Sequence, residues 1–165
     1  EDASGPQPHG WCWLFGLRQP ELELYAHVVQ GAAVKMLVRA GGEEAEGGKG
    51  FHCNYQPPSP EETALAVRRL WEGFAFVGLT EEWRLSICLL HLMFGGECHE
   101  SEMRNAHPGP RHTGKPYDTA GLKGFRDVHD GALYEEAQRI FRENLRVYNA
   151  SQAACEPCFR RAGLL

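Results

Sequence analysis

No apolar run in this chain approaches the roughly 18 residues that a membrane-spanning helix needs. The longest candidates, "GAAVKMLV" and "SICLLHLMFGG", are interrupted by charge or glycine, so no membrane span is expected. Positive charge is not in surplus either. Seventeen lysines and arginines face 22 acids, a net charge of −5. That excludes a general nucleic-acid binder, which displaces counterions with clustered cations, and any anion site must be local. No initiating methionine or apolar leader stands before Glu1-Asp2-Ala3, and the expectation is a processed product or a piece of something longer. No internal repeat is present. His91, His99, His107, His112 and His129 contain no pair at the spacing of two helical metal ligands; they read as surface or loop histidines, and no metal is expected.

Cysteine, by contrast, is plentiful. Six are present, an even number that permits many pairings and specifies none. Asn149-Ala150-Ser151 fits an N-glycosylation acceptor. Together they point to an oxidising compartment, the secretory pathway or another non-cytosolic lumen, and to a glycoprotein. Cys155-Glu156-Pro157-Cys158 is open to three readings: a redox pair, half of a zinc site or a structural clip. The thioredoxin-like setting of a redox pair is missing, and zinc needs two more ligands, which Cys98-His99 would supply by folding back. Disulfides are therefore expected among Cys12, Cys53, Cys98, Cys155 and Cys158, with each other or with distant cysteines. Cys88 and His91 fall in an apolar helical pattern and read as a buried thiol and a hydrogen-bonded core histidine.

At 165 residues and 42% hydrophobic content, one domain with a respectable core is expected. Residues 1–10 read as a flexible arm, 11–149 as the domain and 150–165 as a cysteine-containing tail. Trp11 to Gly16 suits a short buried strand. From Pro20, Leu22, Ala26, Val29, Ala33, Met36 and Leu37 mark one helical face, with a break possible at Gly31. Ala40 to Gly50 has nothing to bury and reads as a surface loop. Ser59-Pro60-Glu61-Glu62 is a helix-start signature, with serine cap, proline at the first position and glutamate three residues after the cap; its helix should reach about Trp71. Phe74 to Gly78, "FAFVG", reads as a strand buried on both faces. Thr80-Glu81-Glu82 then caps a helix ending at Gly95-Gly96. Glu97 to His129 reads as a long ordered loop, and a last helix is expected from about Gly131 to Asn149. Trp11, Trp13, Trp71 and Trp83 are expected in the core.

The block "AFVGLTEEWRLSICLLHLMFGG", followed later by "DGALYEEAQRIFRENL", resembles the C-terminal part of carbohydrate and heparan-sulfate-type sulfotransferases. The segment "LFGLRQPELELYAH" resembles the preceding part of that family, where an arginine and a proline open a helix gripping the 3′-phosphate of 3′-phosphoadenosine-5′-phosphosulfate. The resemblance spans about Trp11 to Asn149. It implies an α/β fold, the helix-dominated C-terminal portion of a sulfotransferase with its P-loop-NTPase-like sheet. Unpaired amides at a helix start, an arginine fork and a hydroxyl together suit a phosphate. Arg18 is the residue carried over. Where the family has a serine eight residues after that arginine, this chain has Ala26, and where a second arginine commonly follows at five, it has Glu23. Lys123-Gly124 is similar to a loop that some sulfotransferases lay over the 3′-phosphate, which makes Lys123 a weaker donor-binding candidate.

The family's 5′-phosphosulfate loop and catalytic base have no counterpart here. "HTGKP", His112 to Pro116, has threonine, glycine and lysine together, but flanking prolines leave no strand-loop-helix context. No catalytic residue is therefore assigned, and the chain is expected to be inactive alone. The functional expectation is a non-catalytic sulfotransferase-like subunit, binding or structural, whose partners cover an open sheet edge. The alternative is a donor-truncated portion of a carbohydrate sulfotransferase. In it Arg18 would contact the 3′-phosphate and the Glu97–Asp130 loop would shape a carbohydrate acceptor pocket. No cofactor is expected unless the missing N-terminal half exists, and then 3′-phosphoadenosine-5′-phosphosulfate.

Overall fold

The computed structural model describes residues 21–39, 56–104 and 118–165. Its helices are α1 (Leu22–Val29), α2 (Ala32–Val38), α3 (Pro60–Gly73), α4 (Trp83–Phe94), α5 (Glu100–Met103), a 3-10 turn (Ala120–Leu122), α6 (Val128–Val147) and α7 (Glu156–Arg161). Of the described residues 64% are helical and none is in a strand. This overturns the α/β, P-loop-like fold implied by the sulfotransferase resemblance, and with it the open sheet edge that partners were expected to cover. The aromatic stretch Trp11 to Gly16 and the loop Ala40 to Gly50 lie outside the described residues.

The strand expected at Phe74 to Gly78 shows the physical reason. A strand buried on both faces needs neighbours to satisfy its amides and carbonyls. Here Phe74, Ala75 and Gly78 are exposed, while Val77 and Leu79 are buried. The polar groups of Leu79 are met by a side chain instead. Its amide donates to Ser86 Oγ at 2.9 Å, and the same hydroxyl donates to its carbonyl at 3.0 Å. One buried serine at the start of α4 thus serves both backbone groups of Leu79, which a neighbouring strand would otherwise meet.

Contacts divide the chain into two compact units, residues 1–66 with 117–133, and residues 67–116 with 134–165. In the first, the helical pattern after Pro20 breaks at Gly31. This residue adopts φ +65°, and a Cβ there would lie 2.3 Å from the Pro58 ring. Only glycine fits both conditions. Two aspartates at the start of α6 hold the break together. Gly31 N donates to Asp127 Oδ2 at 2.7 Å, while Ala33 N and Val34 N donate to the two oxygens of Asp130, each at 3.0 Å. Asp127 Oδ1 also accepts from the amides of His129 and Asp130, so one carboxylate caps two helix starts. Of the face expected to be buried, Ala26 is buried, but Leu22, Val29 and Met36 are exposed. Val34 and Lys35 are buried instead.

The α3 start forms as its sequence dictates. Ser59 N donates to Glu62 Oε2 at 2.8 Å and Glu62 N donates to Ser59 Oγ at 3.2 Å, a reciprocal capping box. Glu62 also clasps Arg39 from the end of α2, through Nε at 2.7 Å and Nη2 at 2.8 Å. The Arg39 hydrogen bond pulls the Glu62 pKa down from 4.5 to about 2, against an opposing push from desolvation. Nearby Lys35 is lowered, first by burial and then by the Arg39 charge.

The second unit has a core of Leu79, Cys88, Leu89, Phe141, Ala150, Cys155 and Phe159. Two disulfides tie it: Cys88–Cys155 and Cys98–Cys158, closing separations of 67 and 60 residues. Cys88, read from sequence as a buried thiol, is therefore a disulfide partner. Cys12 and Cys53 lie outside the described residues. The tail is held in the core by these bonds and by two left-handed caps of one kind. After α6, Ala150 N bonds Leu145 O and Asn149 N bonds Arg146 O; after α7, Leu164 N bonds Phe159 O and Gly163 N bonds Arg160 O. Asn149 (φ +50°) and Gly163 (φ +72°) occupy the left-handed position, and apolar Ala150 and Leu164 follow them into the core. α6 begins at Val128, three residues before the expected start. α4 begins at Trp83 with no side-chain cap, so Thr80 and Glu81 precede the helix without capping it. Trp71 and Trp83, expected in the core, are about half exposed, with indole N–H groups donating to Glu136 Oε2 and to the Glu102 carbonyl.

Candidate functional site

Of the two donor-binding candidates, Arg18 lies outside the described residues and Lys123 lies within them. Lys123 ends the Ala120–Leu122 turn in the left-handed conformation (φ +49°), and Gly124 continues it (φ +82°). The reversal is fixed by Lys123 N to Ala120 O and Phe125 N to Leu122 O bonds. This loop lies against α1: Leu22 sits opposite Gly121, and the Phe125 ring meets His27 edge-on at a centroid distance of 4.6 Å.

The loop therefore carries the lysine to the first turn of α1, four to six residues after Arg18 in the chain. There its ammonium meets carboxylates. Lys123 Nζ lies 2.7 Å from Glu23 Oε2 and 3.8 Å from Glu21 Oε2. The hydrogen bond that Lys123 donates to Glu23, then the charges of Glu23 and Glu21, hold the Lys123 pKa above its ordinary value. A helix start attracts negative charge, and here the chain supplies that charge itself. Glu23 is the position at which the resemblance has a second arginine, and buried Ala26 offers no hydroxyl. With two acids facing one lysine, the described part of the locus carries a net negative formal charge.

A second polar cluster closes the end of α4. His91 Nδ1 faces Gly95 O at 3.3 Å and Nε2 faces the Glu102 carboxylate at 3.0 Å. Glu102 also accepts from His99 N at 2.8 Å, and this bond, more than the His91 contact, lowers its pKa. His91 is thus hydrogen-bonded as the sequence suggests. Its work is to fold the chain back after Gly95-Gly96, next to the Cys98–Cys158 bond. Near that bond an open depression of about 550 Å³ is lined by Ala153, Glu156, Pro157, Arg160 and Arg161. Its cations are paired, Arg160 with Glu156 and Arg161 with Glu97 at 3.4 Å.

The sulfurs of Cys98, Cys155 and Cys158 are consumed in disulfides, which rules out a zinc quartet built on them. Among the described residues no group of three or more His, Cys, Asp and Glu is arranged to hold a metal ion, and no helix is long and apolar enough to cross a membrane. Asn149 is exposed at the end of α6.

Comparison with known proteins names no family. Neither a protein-family model, nor a curated protein, nor a solved structure matches the chain. Functional reasoning therefore rests on the residues themselves. Sequence reading missed four of them: Cys88, whose pairing no spacing encodes; Ser86, which looks like an ordinary polar break in an apolar helix; and the Asp127/Asp130 pair. The last left a trace, since two aspartates three apart at a helix start are a capping signature.

Proposed function

We propose that this chain is a non-catalytic binding or structural subunit of a larger assembly in an oxidising, non-cytosolic compartment. In this reading, the segment resembling a sulfotransferase 3′-phosphate grip is closed by the chain's own carboxylates. The supporting observation is the 2.7 Å contact of Lys123 with Glu23. An anion site needs cations left over for the ligand, and the described cation here is spoken for. The two disulfides support the compartment, because such bonds persist where thiols are not kept reduced.

Calorimetric titration of the chain with adenosine 3′,5′-bisphosphate tests the reading. No binding heat is expected at micromolar concentration. A micromolar Kd would overturn the non-catalytic assignment in favour of a donor-truncated sulfotransferase. The double variant Glu23→Arg with Ala26→Ser sharpens the result, since it restores the residues the resemblance places there. Binding gained only in the variant would support a closed phosphate grip.

A further inference from the structure

We propose that Asn149 carries an N-linked glycan in the mature protein. Asn149-Ala150-Ser151 is the only Asn-x-Ser/Thr triplet in the 165 residues, but a triplet alone is common, and the structure adds three independent features. The first is presentation. Asn149 is exposed in the left-handed cap after α6, its amide donates to Arg146 O, and among the described residues no hydrogen bond engages its side chain. The chain turn buries Ala150 and leaves Asn149 and Ser151 outside, so a bulky group on Asn149 displaces nothing from the core.

The second feature is compartment. Six residues after Asn149 comes Cys155, disulfide-bonded to Cys88. A chain that oxidises this pair passes through a lumen of the kind in which asparagine is glycosylated. The third is what surrounds the acceptor. Val147 and Tyr148, immediately before it, are 58% and 39% exposed. A hydrophilic glycan at Asn149 would shield this apolar end of α6.

The chemistry requires an oligosaccharide donor activated as a lipid pyrophosphate. A bond forms between Asn149 Nδ2 and C1 of the first sugar, the C1–oxygen bond to pyrophosphate breaks, the lipid pyrophosphate departs, and the amide nitrogen loses one proton. Ser151 completes the acceptor triplet. In the folded chain its hydroxyl accepts from Ala154 N at 3.1 Å, so transfer precedes or competes with closure of this turn.

The test is expression of the full chain through the secretory pathway of a eukaryotic cell, followed by peptide mass analysis. The peptide containing Asn149 is expected to carry a hexosamine-core glycan. Digestion with a peptide N-glycosidase should remove it and leave aspartate at position 149. Asn149→Gln and Ser151→Ala should both arrive unglycosylated, while Ser151→Thr, which keeps the acceptor triplet, should retain the glycan. Where a variant is poorly secreted, the same digest of the microsomal lumen reads its occupancy. Disulfide-bonded wild-type protein with unmodified Asn149 would overturn the proposal. That outcome leaves the non-catalytic reading untouched, since no step in it uses the glycan.

Discussion

Glu62 joins three jobs in one carboxylate: it completes the α3 capping box, accepts a two-pronged bond from Arg39, and lies near the buried Lys35 charge. Its folded pKa is depressed from 4.5 to about 2, chiefly by Arg39. A depressed carboxylate contributes stability that is fully present above its unfolded pKa and is lost as pH falls through the folded one. The contribution should therefore hold at neutral pH and disappear between about pH 4.5 and pH 2. The carboxylate is 30% exposed, so solvent screening trims its worth to about 1–3 kcal/mol. Urea unfolding of wild type and Glu62→Gln across this range should show that difference at pH 7 and its collapse near pH 2. A difference that stays constant with pH would mean that charge is not what Glu62 supplies. The capping box was legible because serine, proline and glutamate stand at fixed offsets. The Arg39 clasp was not, since its partner lies 23 residues away.

Among the elements, the long helices were readable from period and punctuation, and the errors fall where tertiary contacts decide. Gly31 was visible as a weak point, and Pro58 with φ +65° explains why the pattern becomes two helices, α1 and α2. The burial of Val34 and Lys35 in place of Met36 was not visible, because the break rotates α2 relative to one continuous helix. Phe74 to Gly78 carries the composition of a strand, but composition says nothing of a hydrogen-bond partner for the backbone that follows at Leu79. Ser86 fills that gap. Ser86→Ala should strand the buried amide of Leu79, while its carbonyl keeps the bond from Glu82 N at 3.2 Å, and leaving such an amide unpaired costs about 1–3 kcal/mol. The expected loss is about 1–3 kcal/mol in the urea unfolding free energy, with helix content unchanged by circular dichroism. A loss below about 0.5 kcal/mol would show that Leu79 finds water or another partner without the hydroxyl.

At the scale of the whole molecule, the candidate site was legible in sequence only as separate residues. Arg18 and Lys123 are read directly from sequence, but that Glu23 answers Lys123 required the loop's position. The disulfide framework shows the same division, because cysteine number is sequence and connectivity is fold. Each bond closes a loop of 60 residues or more, which by chain entropy stabilises by about 4 kcal/mol. The two loops overlap within the second unit, so their effects should not simply add. The bonds differ in access. Cys88 and Cys155 are 2% and 0% exposed, whereas Cys158 is only partly buried. A thiolate must reach a sulfur to reduce it, so native protein given limiting reductant should open Cys98–Cys158 first. Timed alkylation with peptide mass analysis should label Cys98 and Cys158 while Cys88 and Cys155 stay paired, and urea should abolish the order by exposing all four. Equal early labelling of all four in native protein would mean that the second unit opens as a whole before any bond breaks, and that its core does not protect the inner disulfide.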